Sequence, residues 1–160
     1  MTSLDVLIGE AYALADDDAD WRFAELRASV ERLWIDGELA DADRLAAIDR
    51  IAEAQQRRAM RAEIDHAATG PLAADLELFG DRDAQADAWV RAGFAPVEAG
   101  AWLCAGVLDA GVASHLRSIG VMACSPLLQD ELHHGATWAR ALSVTRELSV
   151  ADFEAAWRSS

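Results

Sequence analysis

The feature that most constrains the fold is a repeated tryptophan–glycine pattern in the second half of the chain. The segment 88–94, AWVRAGF, is followed thirteen residues later by 101–107, AWLCAGV. In each copy an apolar residue follows the glycine, which is typical of a helix that ends at a left-handed glycine with that residue folded onto its last turn. A third, weaker copy, LRSIGV, ends at Val121. The repeat therefore predicts three short helices joined by tight glycine corners, with the tryptophans in a shared core.

Two long segments before the repeat have apolar residues at helical spacing. The first is placed to end at Gly37, and its predicted buried stripe is Phe23, Leu26, Val30, Leu33 and Trp34. The second begins at Asp41 and runs to about Ala68, and its predicted inner side is Leu45, Ile48, Ala52, Gln55, Ala59, Met60 and Ile64. A short helix from Ser3 through Ala15 precedes both. The two long helices predict an antiparallel hairpin.

The strongest boundary signal is Thr69-Gly70-Pro71, because a proline disfavours helix at the residue before it. We predict an all-α fold with an acidic hairpin over residues 1–68 and a compact bundle of short helices over 72–160, although one continuous domain is also compatible with the pattern. The later helices are expected at 72–79, 83–92, 96–105, 110–119, 126–142 and 150–158. Ser149 and Asp152 form a predicted capping box for the last of them.

Negative charge is concentrated at the start of the chain. The formal net charge is −14, and residues 1–43 contain twelve acidic residues against three arginines. Such a field repels phosphate backbones and anionic membrane surfaces, and it attracts a basic protein. The predicted partner-facing carboxylates are Asp16, Asp17, Asp18, Asp20, Glu25 and Glu31. The alternative is a solvated face that only keeps the protein in solution.

The segment 92–120, AGFAPVEAGAWLCAGVLDAGVASHLRSIG, resembles the three-helix ubiquitin-associated type of domain. In that family a Gly-Phe corner follows the first helix, and the resemblance covers less than a quarter of this chain. It implies a three-helix arrangement with a partner-binding corner at Gly93 and Phe94. The family usually carries a methionine before the glycine, where this chain has Ala92.

A metal site is suggested by two Glu-x-x-His pairs, Glu63 with His66 and Glu131 with His134. Ferritin-like di-metal sites combine two such pairs with a glutamate from each of two other helices, and Glu31 and Glu98 lie upstream of the pairs. At 1.5 Å per residue, however, Glu31 lies about 12 Å from the hairpin turn and Glu63 about 36 Å. The two glutamates therefore cannot meet across an antiparallel pair, and solvated helix ends are the alternative interpretation.

The sequence contains no other pattern typical of catalysis. It has no glycine-rich phosphate loop, no Cys-x-x-Cys zinc pattern and no nucleophile elbow. Cys104 and Cys124 lie on or beside apolar segments, which favours buried structural thiols. Two cysteines are too few for a disulfide framework, so we expect a reduced, cytoplasmic setting. Neither an apolar run of membrane-spanning length nor the pattern of a signal peptide is present. We therefore expect no cofactor and no membrane or direct nucleic-acid binding.

These observations favour a non-catalytic interaction module, such as an adaptor, an immunity-type protein or an inhibitor, that binds a basic protein. One alternative is an inhibitor whose carboxylates imitate nucleic acid, and another is the di-metal carboxylate protein. The sequence is also compatible with a homodimer formed through the second and third helices. Helical spacing favours core positions for Trp21 and Trp34 over exposed contact positions.

Overall fold

The computed structural model of the protein describes residues 3–14, 16–132, 136–145 and 149–160. Its helices are α1 Ser3–Ala13, α2 Asp16–Ile35, α3 Asp41–Ala67, α4 Ala73–Leu76, α5 Arg82–Arg91, α6 Pro96–Cys104, α7 Ala110–Ser118, α8 Trp138–Arg140 and α9 Val150–Ser159. Within these ranges there is no strand, only an isolated antiparallel bridge between Glu131 and Thr137. The predicted all-α helical fold is confirmed. None of the described helices is both long enough and apolar enough to cross a bilayer.

The chain divides into two compact units, and the division falls inside α3. The first unit ends at Arg58 and the second begins at Ala59. The first contains α1, α2 and most of α3, whereas the second contains the end of α3 and all later helices. Thr69 and Gly70 lie in the turn that follows α3.

The first unit is built on an antiparallel pairing of α2 and α3. Arg27 on α2 donates to Gln55 on α3 at 2.7 Å, while nearer the connecting turn Arg44 on α3 donates to Glu31 on α2. Its fully or largely buried residues are Ala11, Ala19, Phe23, Leu26, Val30, Ala47, Ile51 and Ala54. The predicted hairpin is therefore present.

The predicted buried stripe of α2 is correct for Phe23, Leu26 and Val30 and wrong for its last two members. Leu33 and Trp34 are exposed. They lie in the last turn of α2, where the Glu38 amide bonds to the Leu33 carbonyl and the chain turns away. The indole N–H of Trp34 donates to Asp41 at 2.6 Å, so this ring lies over the turn rather than in the core.

The predicted inner side of α3 is also partly wrong. Met60 and Ile64 are buried, but Leu45, Ala52 and Ala59 are exposed. The side of α3 that is buried in the first unit consists of Ala47, Ile51 and Ala54. At about 100° per residue, Leu45 and Ala52 lie roughly 140–160° around the helix from Ala47, so the predicted side and the buried side of α3 differ.

The second unit confirms the role of the tryptophan–glycine repeat. Trp89 and Trp102 are buried. The amides of Phe94, Val107 and Val121 bond back to the carbonyls of Trp89, Trp102 and Leu116 at 3.3, 3.0 and 3.0 Å, respectively. These are the six-to-one bonds of a glycine-ended helix. Each corner therefore directs the following apolar residue onto the helix that it ends.

The last corner provides a test of backbone strain without a steric contribution. Gly120 has φ +89°, and an added Cβ would meet nothing within 4 Å. We expect Gly120→Ala to lower the free energy of unfolding by about 1–2 kcal/mol, because an L-residue is strained in this conformation. Gly9 in α1 likewise has open space around it. Gly9→Ala should instead add about 0.5–1 kcal/mol through its better helix propensity. Urea unfolding measures the free energy of unfolding of both variants. If it changes in the same direction in both, the corner geometry at Gly120 is contradicted.

The predicted helix over residues 126–142 is wrong as one continuous element, although both ends of the range are helical. Pro126–Gln129 forms a single 3-10 turn, and Asp130 is extended with ψ 132°. The Leu132 amide bonds to the Ala136 carbonyl at 2.7 Å, and the Trp138 amide bonds to the Asp130 carbonyl at 3.3 Å. Neither bond has the spacing of an α-helix. Among the described residues that follow, helical structure is present at Trp138–Arg140 and continues as a π-helix over Ala141–Thr145.

The capping box of α9 is confirmed. The Ser149 hydroxyl accepts a bond from the Asp152 amide, and the Asp152 carboxylate accepts from the Ser149 amide, both at 3.1 Å. The Ser149 hydroxyl also donates to that carboxylate at 2.7 Å. These bonds favour the charged form and lower the pKa of Asp152 below its usual value.

Candidate functional site

The most distinctive surface of the first unit is acidic. Among the side chains that the structure describes in this unit, the exposed carboxylates are Glu10, Asp18, Asp20, Asp36, Glu38, Asp41, Asp43, Asp49 and Glu53. Arg32 is the one arginine in the same set of side chains that is classed as exposed. The other described arginines of the unit are half-buried, and several of them bond within it. The accessible charge is therefore more one-sided than the composition alone indicates.

The predicted partner-facing carboxylates do not share one environment. Asp18 and Asp20 are exposed near the start of α2. Glu25 forms an ion pair with Arg22 one turn away. The backbones of Asp16 and Asp17 belong to α2, but their side chains lie outside the described residues. Of this group, Asp18 and Asp20 best fit a surface that is open to a partner.

Glu31 joins two helices. Its two oxygens accept from Arg44 Nε at 2.9 Å and from Arg44 Nη2 at 2.8 Å, in the bidentate geometry that makes such pairs specific. The hydrogen bond to Glu31 is the largest cause that raises the pKa of Arg44 above its usual value. The Arg44 guanidinium also lies over the Trp34 ring, 4.3 Å from its centroid. Glu31 is thus part of a network that holds the hairpin turn together.

Large apolar side chains are exposed in the same unit. Trp21 is 66% exposed and Ile35 is 72% exposed, at opposite ends of α2. Leu33, Trp34 and Leu45 are also exposed near the hairpin turn. The expectation that Trp21 is a core residue is wrong. Its exposure could have been predicted from the sequence, because Trp21 lies two residues before Phe23 and therefore about 200° away around the helix.

Phe94, the partner-contact residue implied by the ubiquitin-associated resemblance, lies in the core. It is fully buried, and its ring packs edge-on against Trp89 with centroids 5.0 Å apart. The Arg117 guanidinium covers its other side at 3.9 Å from the centroid and donates to the Ala92 carbonyl at 3.1 Å. The Gly93 corner is present, but Phe94 is not accessible to a partner in this conformation.

The residues of the proposed di-metal site have other roles or other surroundings. The Glu63 carboxylate packs against Gly100, where an added Cβ would collide with it. His66 is exposed, and Glu131 forms the isolated β-bridge with Thr137 rather than lying on a helix. Glu98 pairs with Arg117 at 3.3 Å. His134 lies outside the described residues. Within the described ranges, no three His, Cys, Asp or Glu side chains form a group that could hold a metal ion.

A shallow, chiefly apolar groove of about 280 Å³ lies in the second unit. Trp102, Val121, Met122 and Cys124 line it together with the Glu98–Arg117 ion pair. No histidine is among the described residues that line the groove, so Cys124 has no neighbouring imidazole there to act as a base. Cys124 and Cys104 are both exposed, which corrects the expectation of buried thiols.

Comparison with protein-family models, with curated proteins and with solved structures finds no match for this chain.

Proposed function

We propose that the protein is a non-catalytic interaction module whose first unit binds a basic protein partner. The observation that carries this proposal is the combination of exposed carboxylates with exposed large apolar side chains on one small unit. Trp21 and Ile35 lie on the same helix as Asp18 and Asp20, with Asp36 directly after it. Exposed apolar side chains rimmed by polar groups are typical of protein–protein interaction sites.

The charge distribution supports a basic partner over an acidic or neutral one. Exposed carboxylates of one sign raise the rate of encounter with a cationic protein and repel an anionic one. This attraction acts over roughly a Debye length, about 8 Å at physiological ionic strength, so it weakens as salt is added.

Imitation of nucleic acid is less well supported by the same geometry. A mimic needs a continuous row of free negative charges in place of phosphates. Along α2 that row is interrupted, because Glu25 pairs with Arg22 and Glu31 pairs with Arg44. A protein partner needs no such regular spacing.

The test neutralises the two exposed carboxylates at the start of α2. We expect the double variant Asp18→Asn, Asp20→Asn to associate about three- to ten-fold more slowly with a purified basic partner that has first been recovered from host cells by affinity capture. The melting temperature should stay unchanged or rise slightly, because like-charge repulsion is relieved. Surface plasmon resonance at several salt concentrations gives both the rate and its salt dependence.

A matched control removes the same charge from the second unit. Glu77→Gln, Glu131→Gln neutralises two exposed carboxylates there. It should change the association rate much less than the double variant of α2. Equal effects of the two variants, an association rate that is independent of salt, or failure to recover a basic partner would contradict the proposal.

A further inference from the structure

Helix α2 has two apolar faces on opposite sides. The buried face consists of Ala19, Phe23, Leu26 and Val30. At about 100° per residue, a second set lies roughly 180° away from it. We name this second set the solvent face of α2, and all its members are exposed: Trp21, Ala24, Ala28 and Ile35. A helix that packs on one side of a small unit needs only one apolar face, so the second is unexplained by the fold.

The shape of the solvent face suits a second helix. Trp21 and Ile35 are fourteen residues apart, which places their Cα atoms about 21 Å apart along the axis. Ala24 and Ala28 lie between them and carry only methyl side chains, and the exposed Arg32 lies between Ala28 and Ile35. A helix lying along this face would contact both large side chains at once, as an amphipathic helix does when its apolar side binds a partner.

The charges at the two ends of the solvent face have the same sign. Asp18 and Asp20 are exposed near Trp21, and Asp36 and Glu38 are exposed just beyond Ile35. Arg32 lies on the same side of the helix and donates to the Ser29 hydroxyl at 3.1 Å. An occupant that matches this pattern is apolar along one side and carries lysine or arginine near both ends.

The same pattern disfavours a second copy of this chain as the occupant. If α2 packed antiparallel on α2, Asp18 and Asp20 of one copy would face Asp36 and Glu38 of the other. If it packed parallel, each acidic end would face its own equivalent. Both arrangements bring like charges together at both ends, which costs free energy at an interface.

We propose that the solvent face of α2 docks one amphipathic helix of a basic protein partner. Trp21 and Ile35 are the apolar anchors, and the carboxylates at the two ends pair with basic side chains. This inference rests on the proposed function and adds to it the contact residues and the secondary structure of the bound segment.

The experiment uses the whole protein and a defined probe. The probe is a synthetic amphipathic helix of about 18 residues made of leucine and lysine, long enough to cover both anchors. A scrambled peptide of the same composition has the same charge but no apolar face. Isothermal titration calorimetry gives the affinities, and amide chemical shifts of labelled protein locate the peptide. We expect the amphipathic peptide to bind at least about ten-fold more tightly than the scrambled one, and to shift the amides of residues 21–35 most.

Two variants test the anchors. Trp21→Ala and Ile35→Ala should each weaken the binding of the amphipathic peptide about ten-fold or more. Leu78→Ala removes a comparably exposed side chain from the second unit and should leave the affinity within about two-fold. All three residues are exposed, so the three variants should retain the wild-type melting temperature.

The outcomes separate this inference from the proposed function. If the host partner depends on Asp18 and Asp20 while the amphipathic peptide fails to bind, or binds both anchor variants as tightly as wild type, the inference is wrong and the proposed function stands. If neither the host partner nor the peptide shows salt-dependent binding, both are wrong. A wild-type dimer in sedimentation velocity that Trp21→Ala converts to monomer would show that a second copy occupies the face, and would also overturn the inference.

Discussion

Replacing Trp102 with alanine is expected to lower the free energy of unfolding by about 3–5 kcal/mol, the usual cost of truncating a large buried aromatic residue. Trp102 is 2% exposed and lies in the core of the second unit with Leu103, Val107 and Leu116. The hydrogen bond from the Val107 amide to the carbonyl of residue 102 does not involve the side chain, so the lost stability measures the contribution of the Trp102 side chain. Guanidinium unfolding followed by circular dichroism measures it.

The matched control is Trp21→Ala. This removes the same side chain from an exposed position on the first unit, and should change the stability by less than about 0.5 kcal/mol. A comparable loss of stability in Trp21→Ala and Trp102→Ala would mean that Trp21 is also a core residue. An unchanged melting temperature for Trp102→Ala would show that the repeat does not place its tryptophans in the core.

Phe94→Ala is expected to have an effect of similar size, about 3–5 kcal/mol. The ring is fully buried, packs edge-on against Trp89 and lies under the Arg117 guanidinium. Its loss leaves a cavity and removes the aromatic and cation–π contacts together. Calorimetric melting of the variant gives the change in stability.

Val97→Ala is the control for Phe94, because Val97 lies three residues further along and is exposed. That variant should melt at the wild-type temperature. If Phe94→Ala instead keeps the wild-type stability and loses partner binding, the Gly93-Phe94 corner is a partner-binding surface. It would restore the partner-binding role that the ubiquitin-associated resemblance implies.

Features set by neighbouring residues could be predicted from the sequence. The glycine corners after Trp89 and Trp102 depend on bonds within six residues, and the Ser149–Asp152 box depends on bonds within four. Each leaves a pattern of residue types that can be recognised without tertiary contacts. The long helices were predictable for the same reason, since their periodicity is local.

Features set by distant contacts could not be predicted. Leu45 and Ala52 follow the heptad spacing of a buried seam, yet the side of α3 that is buried in the first unit consists of Ala47, Ile51 and Ala54. The segment after Pro126 has helical composition, but the Leu132 and Trp138 amides bond to the Ala136 and Asp130 carbonyls, which is not the spacing of an α-helix. In both cases tertiary packing outweighs local preference.

The exposed carboxylates of the candidate site could be predicted from the sequence, but its exposed apolar side chains were not predicted. A run of aspartates before Trp21 is visible in the sequence, and Asp18 and Asp20 are indeed exposed. That Glu31 is held by Arg44 depends on the hairpin register, which residue types alone do not specify. The exposure of Trp21 follows once Phe23 is known to face the core.

The division of the chain inside α3 limits how the protein can be cut into fragments. A fragment that stops at Arg58 would leave the last four carbonyls of a helix without their partners, and one that starts at Ala59 would leave four amides in the same state. The intact helix instead ends near Ala67, where the amides of Ala68 and Thr69 bond back to Ile64 and His66. An expression fragment of the first unit should therefore keep the whole of α3 with Thr69 and Gly70, and a fragment of the second should begin several residues before Met60, behind an added capping residue.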